Sequence, residues 1–345
     1  MKAASSTIDE GCMLGFISDK TKFFIVAPAN FATGGPELLH QLAFKLRQYG
    51  KNVSMYYLPV WRVNPVHKNY EQYDIGYVRR VDDDEHNILI FPEIYTDLLV
   101  NYKSAKKIIW WLSVDNYFLS FPGLKGRINN FLLNKFGSQR YLFFNKSLVE
   151  TADFHLVQSE YARSVLYKNY IFNVYYLSDY LHGSFLAIRT DVRSKENFVA
   201  YNPKKGFKFT QKLIKKSPDI RFVAIVGMDR NEVISLLQKA KVYIDFGHHP
   251  GKDRIPREAA LLRCCVITNR RGSAEFSQDI QIMDEFKFSE DINNISKIRS
   301  KIHECFDDFD ISIAKFRAYQ EQIKQQERDF EYQLERLLDL TGVNK

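Results

Sequence analysis

The residues that decide the fold are DFGHHPGKDRIPREAALLRCCVITNRRG, Asp245 to Gly272. KVYI runs into this stretch as a short apolar strand that ends at Asp245 and Phe246. Residues His248 to Arg254 follow as a polar loop. Pro256 suits the first turn of a helix, where its missing N–H has no partner to lose. Glu258 falls one turn inside that helix, and the small side chains of Ala259 and Ala260 let it pack close to a sheet. CCVITN is a second apolar strand. Neither strand alternates apolar with polar residues, which is the pattern of a parallel sheet buried on both faces. The loop His248 to Arg254 therefore lies at the carboxyl edge of such a sheet, where ligands of open α/β sheets bind.

The same unit repeats along the chain. NFVAYNP and RFVAIVG are strands of the second half, with FKFTQKLIKK and RNEVISLLQKA as helices. In the first half the strands FFIVAP, NVSMYYL, NILIFP, KIIWWLSV and FHLVQS alternate with GGPELLHQLAFKLRQYG, EIYTDLLVNY and EYARSVLYKNY, each read as a helix. Leu38, Leu39, Leu42, Ala43 and Leu46 fall at helical spacing, and Gly50 closes their helix. The irregular, polar LSDYLHGSFLAIRTDVRSKEN separates the halves, with the break near residues 180–195. The expected fold is α/β: two Rossmann-like doubly wound domains, 1–185 and 186–315, facing a cleft. Residues 316–345 form a long amphipathic helix expected to pack across or back on the first domain. Phe316, Tyr319, Ile323, Phe330, Leu334 and Leu337 share its apolar face; Gln326 and Gln333 interrupt the seam, so a docked helix competes with a coiled-coil contact.

Composition narrows the function classes. With 345 residues and 45% hydrophobic content, each half can bury a core. No apolar run approaches the roughly 18 residues that span a bilayer. MKAASSTIDEG lacks a signal-peptide pattern. Cys12, Cys264, Cys265 and Cys305 contain no C-x-x-C pair and read as reduced thiols of a cytoplasmic protein. A net charge of +8 favours anionic partners: nucleotides, nucleic acid or an acidic membrane face. No nucleic-acid module is recognisable, and none is expected as a partner. The aromatic and basic run from Asn116 to Lys146 suits either a helical cover of the first sheet or the inner face of the plasma membrane with a lipid-linked acceptor.

Several residues could carry chemistry. Gly34 and Gly35 open the first helix, where the absence of Cβ atoms lets a ligand approach amides at a positive helix end. They do not form G-x-G-x-x-G, so a dinucleotide fingerprint is unsupported, and a plain tight turn is the alternative to a ligand contact. Lys204 and Lys205 in YNPKKG lie at the carboxyl edge of the second domain's first strand and suit a diphosphate. Lys252, Arg254 and Arg257, with the helix amides beside them, make an electropositive loop. Glu258 can hydrogen-bond ribose hydroxyls. His248 and His249 would need a third ligand to hold a metal, and none is apparent at suitable spacing, so no metal is expected. Asp115 and, more weakly, Glu93 follow first-domain strands and could act as a general base or acceptor ligand, or simply cap the next segment.

These segments together resemble GT-B glycosyltransferases, most of all the retaining family 4. AYNPKKGFKFTQKLI matches the family's strand and basic turn; IPREAALLRCCVITN matches its P-x-x-E-A helix start and the following strand. GGPELLHQLAFKL matches the first-domain Gly-Gly loop, and LVQSEYARSVL a common strand and helix. The resemblance covers Phe23 to Asn269. It implies that Gly35, Lys204, Lys205, Arg254 and Arg257 bind the donor diphosphate and that Glu258 holds the ribose. It also places Gly34, His249, Lys252 and Asp253 in the donor loop. The first acid of the family's glutamate pair has no counterpart: its register falls on Pro250 or Gly251, and Asp253 is out of step. IPREA also has one residue fewer between Pro and Glu than the family pattern.

The function so implied is metal-independent, retaining transfer of a hexose-type sugar from a nucleotide-diphosphate sugar such as a UDP- or GDP-sugar, with no cofactor. The acceptor is a bacterial surface glycan, lipopolysaccharide O-antigen or capsule. A nucleotide-sugar epimerase of the same fold, or a non-catalytic glycan-binding scaffold with a decayed donor site, are the alternatives.

Overall fold

The computed structural model describes residues 17–119 and 146–338. Cys12, the opening MKAASSTIDEG and most of the aromatic–basic run from Asn116 to Lys146 lie outside the described residues.

The first sheet has seven parallel strands: β1 (Lys22–Pro28), β2 (Asn52–Leu58), β3 (Tyr77–Val78), β4 (Asn87–Pro92), β5 (Lys106–Trp111), β6 (Phe154–Val157) and β7 (Val174–Tyr176), in the order β3-β2-β1-β4-β5-β6-β7. Its strands lack alternation for a visible reason. Phe23, Ile25, Ile90, Ile108 and Trp110 point to one face and Phe24, Val26, Leu89, Phe91, Ile109 and Trp111 to the other, and both faces are buried. The helix Gly34–Gln48 covers the first face with Leu38, Leu39, Leu42 and Leu46. The helix Glu160–Lys168 covers the second with Tyr161, Val165 and Leu166. EIYTDLLVNY departs from expectation. Residues Glu93–Asn101 are 3₁₀ turns broken at Tyr95 (φ −120°, ψ 23°) rather than an α-helix. The successive Ile94, Tyr95 and Thr96, all poor helix formers, account for this. β3 and β7 are short edge strands with too few residues to carry a pattern.

The second sheet is also parallel, with β8 (Glu196–Tyr201), β9 (Phe222–Ala224), β10 (Ala240–Asp245) and β11 (Cys265–Thr268) in the order β11-β10-β8-β9. Both sheets have a topological switch beside their first strand, between β1 and β4 and between β8 and β10. Cys264, Cys265 and Cys305 are free and buried in the second core. Gly206 ends the β8 turn at φ +60° with its α-carbon against the Phe246 carbonyl, a position closed to any side chain.

The final helix, Arg317–Leu337, belongs to both cores. Tyr319 and Ile323, with the preceding Phe316, join the second core; Phe330, Leu334 and Leu337 join the first. Gln326 and Gln333 sit at the crossing between them and have dedicated partners: Gln326 Oε1 accepts from Arg257 Nη1 at 2.9 Å, and Gln333 Oε1 from the Ser178 amide at 2.7 Å. Lys45 ties the same helix to Gly34–Gln48 through Glu327 (2.9 Å) and Glu331 (2.5 Å). These contacts are those of a docked helix. Phe330 packs its ring 5.2 Å from Tyr180 and 6.4 Å from Trp110. Phe330→Ala should lower stability by about 3–5 kcal/mol, measured by urea unfolding, because the cavity forms where the helix is wedged against a rigid sheet.

Candidate functional site

A cleft of about 680 Å³ runs between the two sheets. Every wall segment follows a strand end or the crossover between the halves. Phe31 to Pro36 follow β1, Glu93 follows β4, Leu112 and Ser113 follow β5, and Gln158 follows β6. Asn202 and Lys205 follow β8, and Pro250 to Pro256 follow β10. Of the residues expected from the sequence, Gly34, Gly35, Glu93, Lys205, Lys252, Asp253 and Arg254 line it.

Two helices open directly on the cleft, Gly34–Gln48 and Arg254–Leu261. Their N-cap residues, Thr33 and Asp253, make no side-chain cap hydrogen bond. Gly206, the N-cap of the neighbouring helix Phe207–Lys215, has no side chain to cap with. Ser159 caps Glu160–Lys168, and Asp229 forms a capping box on Arg230–Lys239, while Ile295–Asp307, Phe309–Ala314 and Arg317–Leu337 lack side-chain caps as the cleft helices do. Uncapped amides carry the positive end of the helix dipole, so the cleft presents two such ends to an anion.

Charged side chains surround these ends in pairs. Arg254 Nη1 donates to Glu37 Oε2 at 2.7 Å across the cleft, and its stem lies against Gly34. Glu258 lies behind it, 3.6 Å from Arg254 Nε, one turn along the helix and nearly buried. Burial pushes the Glu258 carboxyl up, against the opposing pull of Arg254 and Arg230. Lys252 Nζ donates to Ser178 Oγ at 2.6 Å, and burial lowers its pKa in spite of Asp179. Lys204 is exposed on the turn, so Lys205 is the cation that reaches the cleft.

Arg257 does not join them. Its guanidinium is 1% exposed and committed to the interior: it pairs with Asp179, and donates to Gln326 Oε1 and to the carbonyls of Lys252 (2.9 Å) and Asp253 (3.2 Å). The expectation of a diphosphate contact from Arg257 is thereby corrected. Asp115 is displaced in a similar way. It is fully buried at the seam between the halves, where it accepts from Tyr161 Oη (2.7 Å) and pairs with His248. Glu93 takes the position expected of Asp115. It is buried on the cleft floor, where Oε2 accepts from the Leu112 amide at 3.0 Å. Burial raises its pKa to about 7, tempered by backbone hydrogen bonds from Glu93, Leu112 and Ser113.

The histidines require a second correction. A third ligand does exist: the ligand atoms of Asp245, His249 and Asp253 lie within 4.8 Å of one another. The spacing of four residues was hidden because this segment is a loop. The donor set nevertheless suits a metal poorly. Lys205 Nζ donates to Asp253 Oδ1 at 2.6 Å, and His249 Nδ1 bonds Asp253 Oδ2 at 2.7 Å. Burial opposes charge on His249, but Asp245 and Asp253 outweigh it and raise its pKa; burial likewise opposes charge on Asp253, where Lys205 and His249 prevail and hold the carboxyl well below the usual range. Both oxygens of Asp253 are thus already engaged, and an ion would have to displace Lys205.

At Gly251, one of the two positions where the acid was expected, there is no room for one. A Cβ there would collide with the Leu112 carbonyl and stand 2.6 Å from Gln158 Oε1. The loop crosses to the other half at its closest approach, and no glutamate fits. Glu37, Gln158 and Asp179 were not expected from the sequence; the position of Glu37 in the first turn after Gly34-Gly35 was the one available signal for it.

No protein-family model and no curated protein matches this chain. Solved structures do. Sucrose-phosphate synthase from Thermosynechococcus elongatus is 10% identical over 94% of this chain and 100% of its own, with a TM-score of 0.63. Anabaena HepE, solved with UDP and glucose, is 12% identical over 92% of this chain and 99% of its own, with a TM-score of 0.62. S. aureus TarM, solved with UDP and alpha-GlcNAc-glycerol, is 14% identical with a TM-score of 0.51; the match covers 75% of this chain and 56% of TarM. At such identities the likeness is one of fold. Two parallel α/β sheets facing a cleft, closed by a long C-terminal helix, constitute the GT-B architecture.

Proposed function

We propose that this chain transfers a hexose-type sugar from a nucleotide-diphosphate sugar to a glycan acceptor. The observation that carries this reading is the meeting of Lys205, Arg254 and two uncapped helix ends in one cleft. A diphosphate has the charge and size to satisfy all four, and cations and amides fixed in advance stabilise its departure without reorganisation. The fold neighbours solved with UDP support a nucleotide donor. In this reading 186–315 is the nucleotide-sugar domain, with Glu258 on its ribose side, and 1–185 is the acceptor domain. The final segment, 316–345, holds the two together.

The mechanism proposed is metal-independent, because Lys205 and His249 already engage both oxygens of Asp253 in the Asp245–His249–Asp253 cluster. Retention of configuration rests on the sequence resemblance. Glu93, rather than Asp115, is the acceptor-side group able to receive a proton, and its raised pKa suits that task near neutrality. The acceptor proposed is a bacterial surface glycan, O-antigen or capsule, assembled at the inner membrane face. A scaffold with a decayed donor site is the second reading, favoured by the absence of an acid at Pro250–Gly251.

Calorimetry with UDP, GDP and their nucleosides tests the donor seat. Lys205→Ala should weaken the preferred diphosphate by about tenfold or more and leave the nucleoside unchanged. Equal losses for both would remove the diphosphate assignment, and no nucleotide binding by the wild type would favour the scaffold.

Glu93 gives a pH test with a definite sign. Its folded-state pKa, about 7, lies above the unfolded value of 4.5. The native state therefore holds the extra proton between these limits, and stability falls as pH rises through them. Glu93→Gln should match the wild type below about pH 4.5 and exceed it by up to about 3 kcal/mol above pH 7, read from paired denaturation curves. Transfer by the wild type should rise with pH through about 7, and the variant should lose it.

A further inference from the structure

A second cavity, of about 350 Å³, lies behind the cleft. Among the described residues Lys252 alone lines both. The crossover between the halves divides them: Asp179 lines the cleft and its neighbour Ser178 the cavity. The first half contributes Glu160, Arg163 and Tyr176 to the cavity wall, and the second contributes Gln278 and Asp279. The final helix contributes Gln322, Gln326, Asp329 and Gln333. Their spacing of four, three and four residues puts all four on one helix face. Gln326 and Gln333, the breaks in the apolar seam of that helix, therefore belong to a continuous polar ladder. The cleft carries Leu38, Leu39, Leu112 and Ile255, whereas no aliphatic side chain among the described residues lines the cavity.

The charges of the wall are already matched. Arg163 Nη2 donates to Glu160 Oε1 at 2.6 Å. Asp279 accepts from the amides of Glu160 (2.8 Å) and Tyr161 (3.0 Å). Lys252 Nζ donates to Ser178 Oγ and feels the charges of Asp179 and Asp279. The ladder on the helix is less fully used. Gln326 is only 4% exposed. It commits Oε1 to Arg257, and Gln333 commits Oε1 to the Ser178 amide, but no described residue takes either Nε2 group. Gln322 Oε1 is buried without a partner, which costs free energy until something fills it. Asp329 makes no hydrogen bond or ion pair with a described residue. Two N–H₂ donors, one amide carbonyl and one carboxylate thus stand along one helix face. An anion would meet Asp329 and find no unmatched cation. A cation would find one unmatched carboxylate among amide donors. A hydroxyl group both donates and accepts, so a row of hydroxyls suits the whole ladder. We propose that this cavity is a second binding site, for a neutral mono- or disaccharide held by Gln322, Gln326, Asp329 and Gln333. Its volume lies at the low end for small-molecule pockets, in keeping with a ligand of that size. The inference goes beyond sugar transfer in the cleft and does not depend on it, since none of these four residues lines the cleft. An occupant would touch both halves and the helix that joins them, one side chain, Lys252, away from the donor seat.

Calorimetry and saturation-transfer NMR of the full chain with maltose, lactose and N,N′-diacetylchitobiose test this, with glucose 6-phosphate and spermidine as charged counterparts. At least one neutral disaccharide should bind with a Kd of about 1 mM or below, and neither charged compound should displace it. Gln322→Ala with Asp329→Ala should weaken that binding by about tenfold or more, with melting temperature and UDP affinity unchanged. Asp329→Ala alone, at an exposed position, should weaken it by about threefold or more and guards against a folding defect in the double variant. Binding that both variants retain puts the sugar in the cleft and overturns the proposal. So does a charged compound that binds in place of the sugars. Failure of all three disaccharides leaves the cavity to water and overturns it as well. The donor reading fails separately: a wild type that binds a disaccharide through Asp329 but binds no nucleotide refutes the donor seat and leaves the second site standing.

Discussion

The buried pair of Arg257 and Asp179 is the joint on which the rest of the structure depends. Arg257 comes from the helix after β10, Asp179 from the crossover between the two halves, and Gln326 from the middle of the final helix. One guanidinium holds all three and also ties down the Lys252 and Asp253 carbonyls of the cleft loop. A planar fork with five donors can do this; a lysine could not. Both charges are almost wholly buried, so removing either partner strands the other, at a cost of about 3–5 kcal/mol. The cleft loop is therefore a dependent of the joint between the halves, and its shape cannot change without disturbing that joint.

From that joint the loop runs back through Gly251, where it touches the opposite half, to the buried network of Asp245, His249, Asp253 and Lys205. The network does for Lys205 what a metal does elsewhere: it fixes a positive charge at a defined place. Burial works against that charge, but Asp253 and Asp245 overcome it and raise the Lys205 pKa. A cation held this way is preorganised, which matters most where charge develops during a reaction.

Much of the fold was legible because parallel strands buried on both faces leave an unmistakable record. FFIVA, NILIF and KIIWW carry no polar face, and the helices between them keep their period. The carboxyl-edge loops could be placed for the same reason. What could not be read was the identity of partners. Arg254 and Arg257 look equivalent in RIPREAA, yet one faces the cleft and the other the interior, because Asp179 waits in a linker without periodicity. Asp115 and Glu93 each follow a strand, and only the approach of His248 and Tyr161 from other elements decides which is withdrawn. The run of Ile94, Tyr95 and Thr96 masqueraded as a helix because its apolar residues have the right spacing but the wrong backbone preference.

The remaining question is how a site so fully paired can accept an anion. Glu37 supplies the answer. It stands in the first turn of the helix behind Gly34-Gly35 and reaches across to Arg254, so a carboxylate already occupies the charge relation that a donor phosphate would take. Glu37 thereby keeps the Arg254 guanidinium paired, and binding in the reading proposed becomes an exchange of one anion for another. Glu37 loses little in the exchange, because an acid in a helix's first turn is stabilised by that helix's own dipole. Arg254 keeps Glu258 behind it throughout, which limits how far its side chain can follow the ligand. In the reading proposed, a singly charged ligand would merely replace Glu37, whereas a diphosphate would also reach Lys205 and the second helix end.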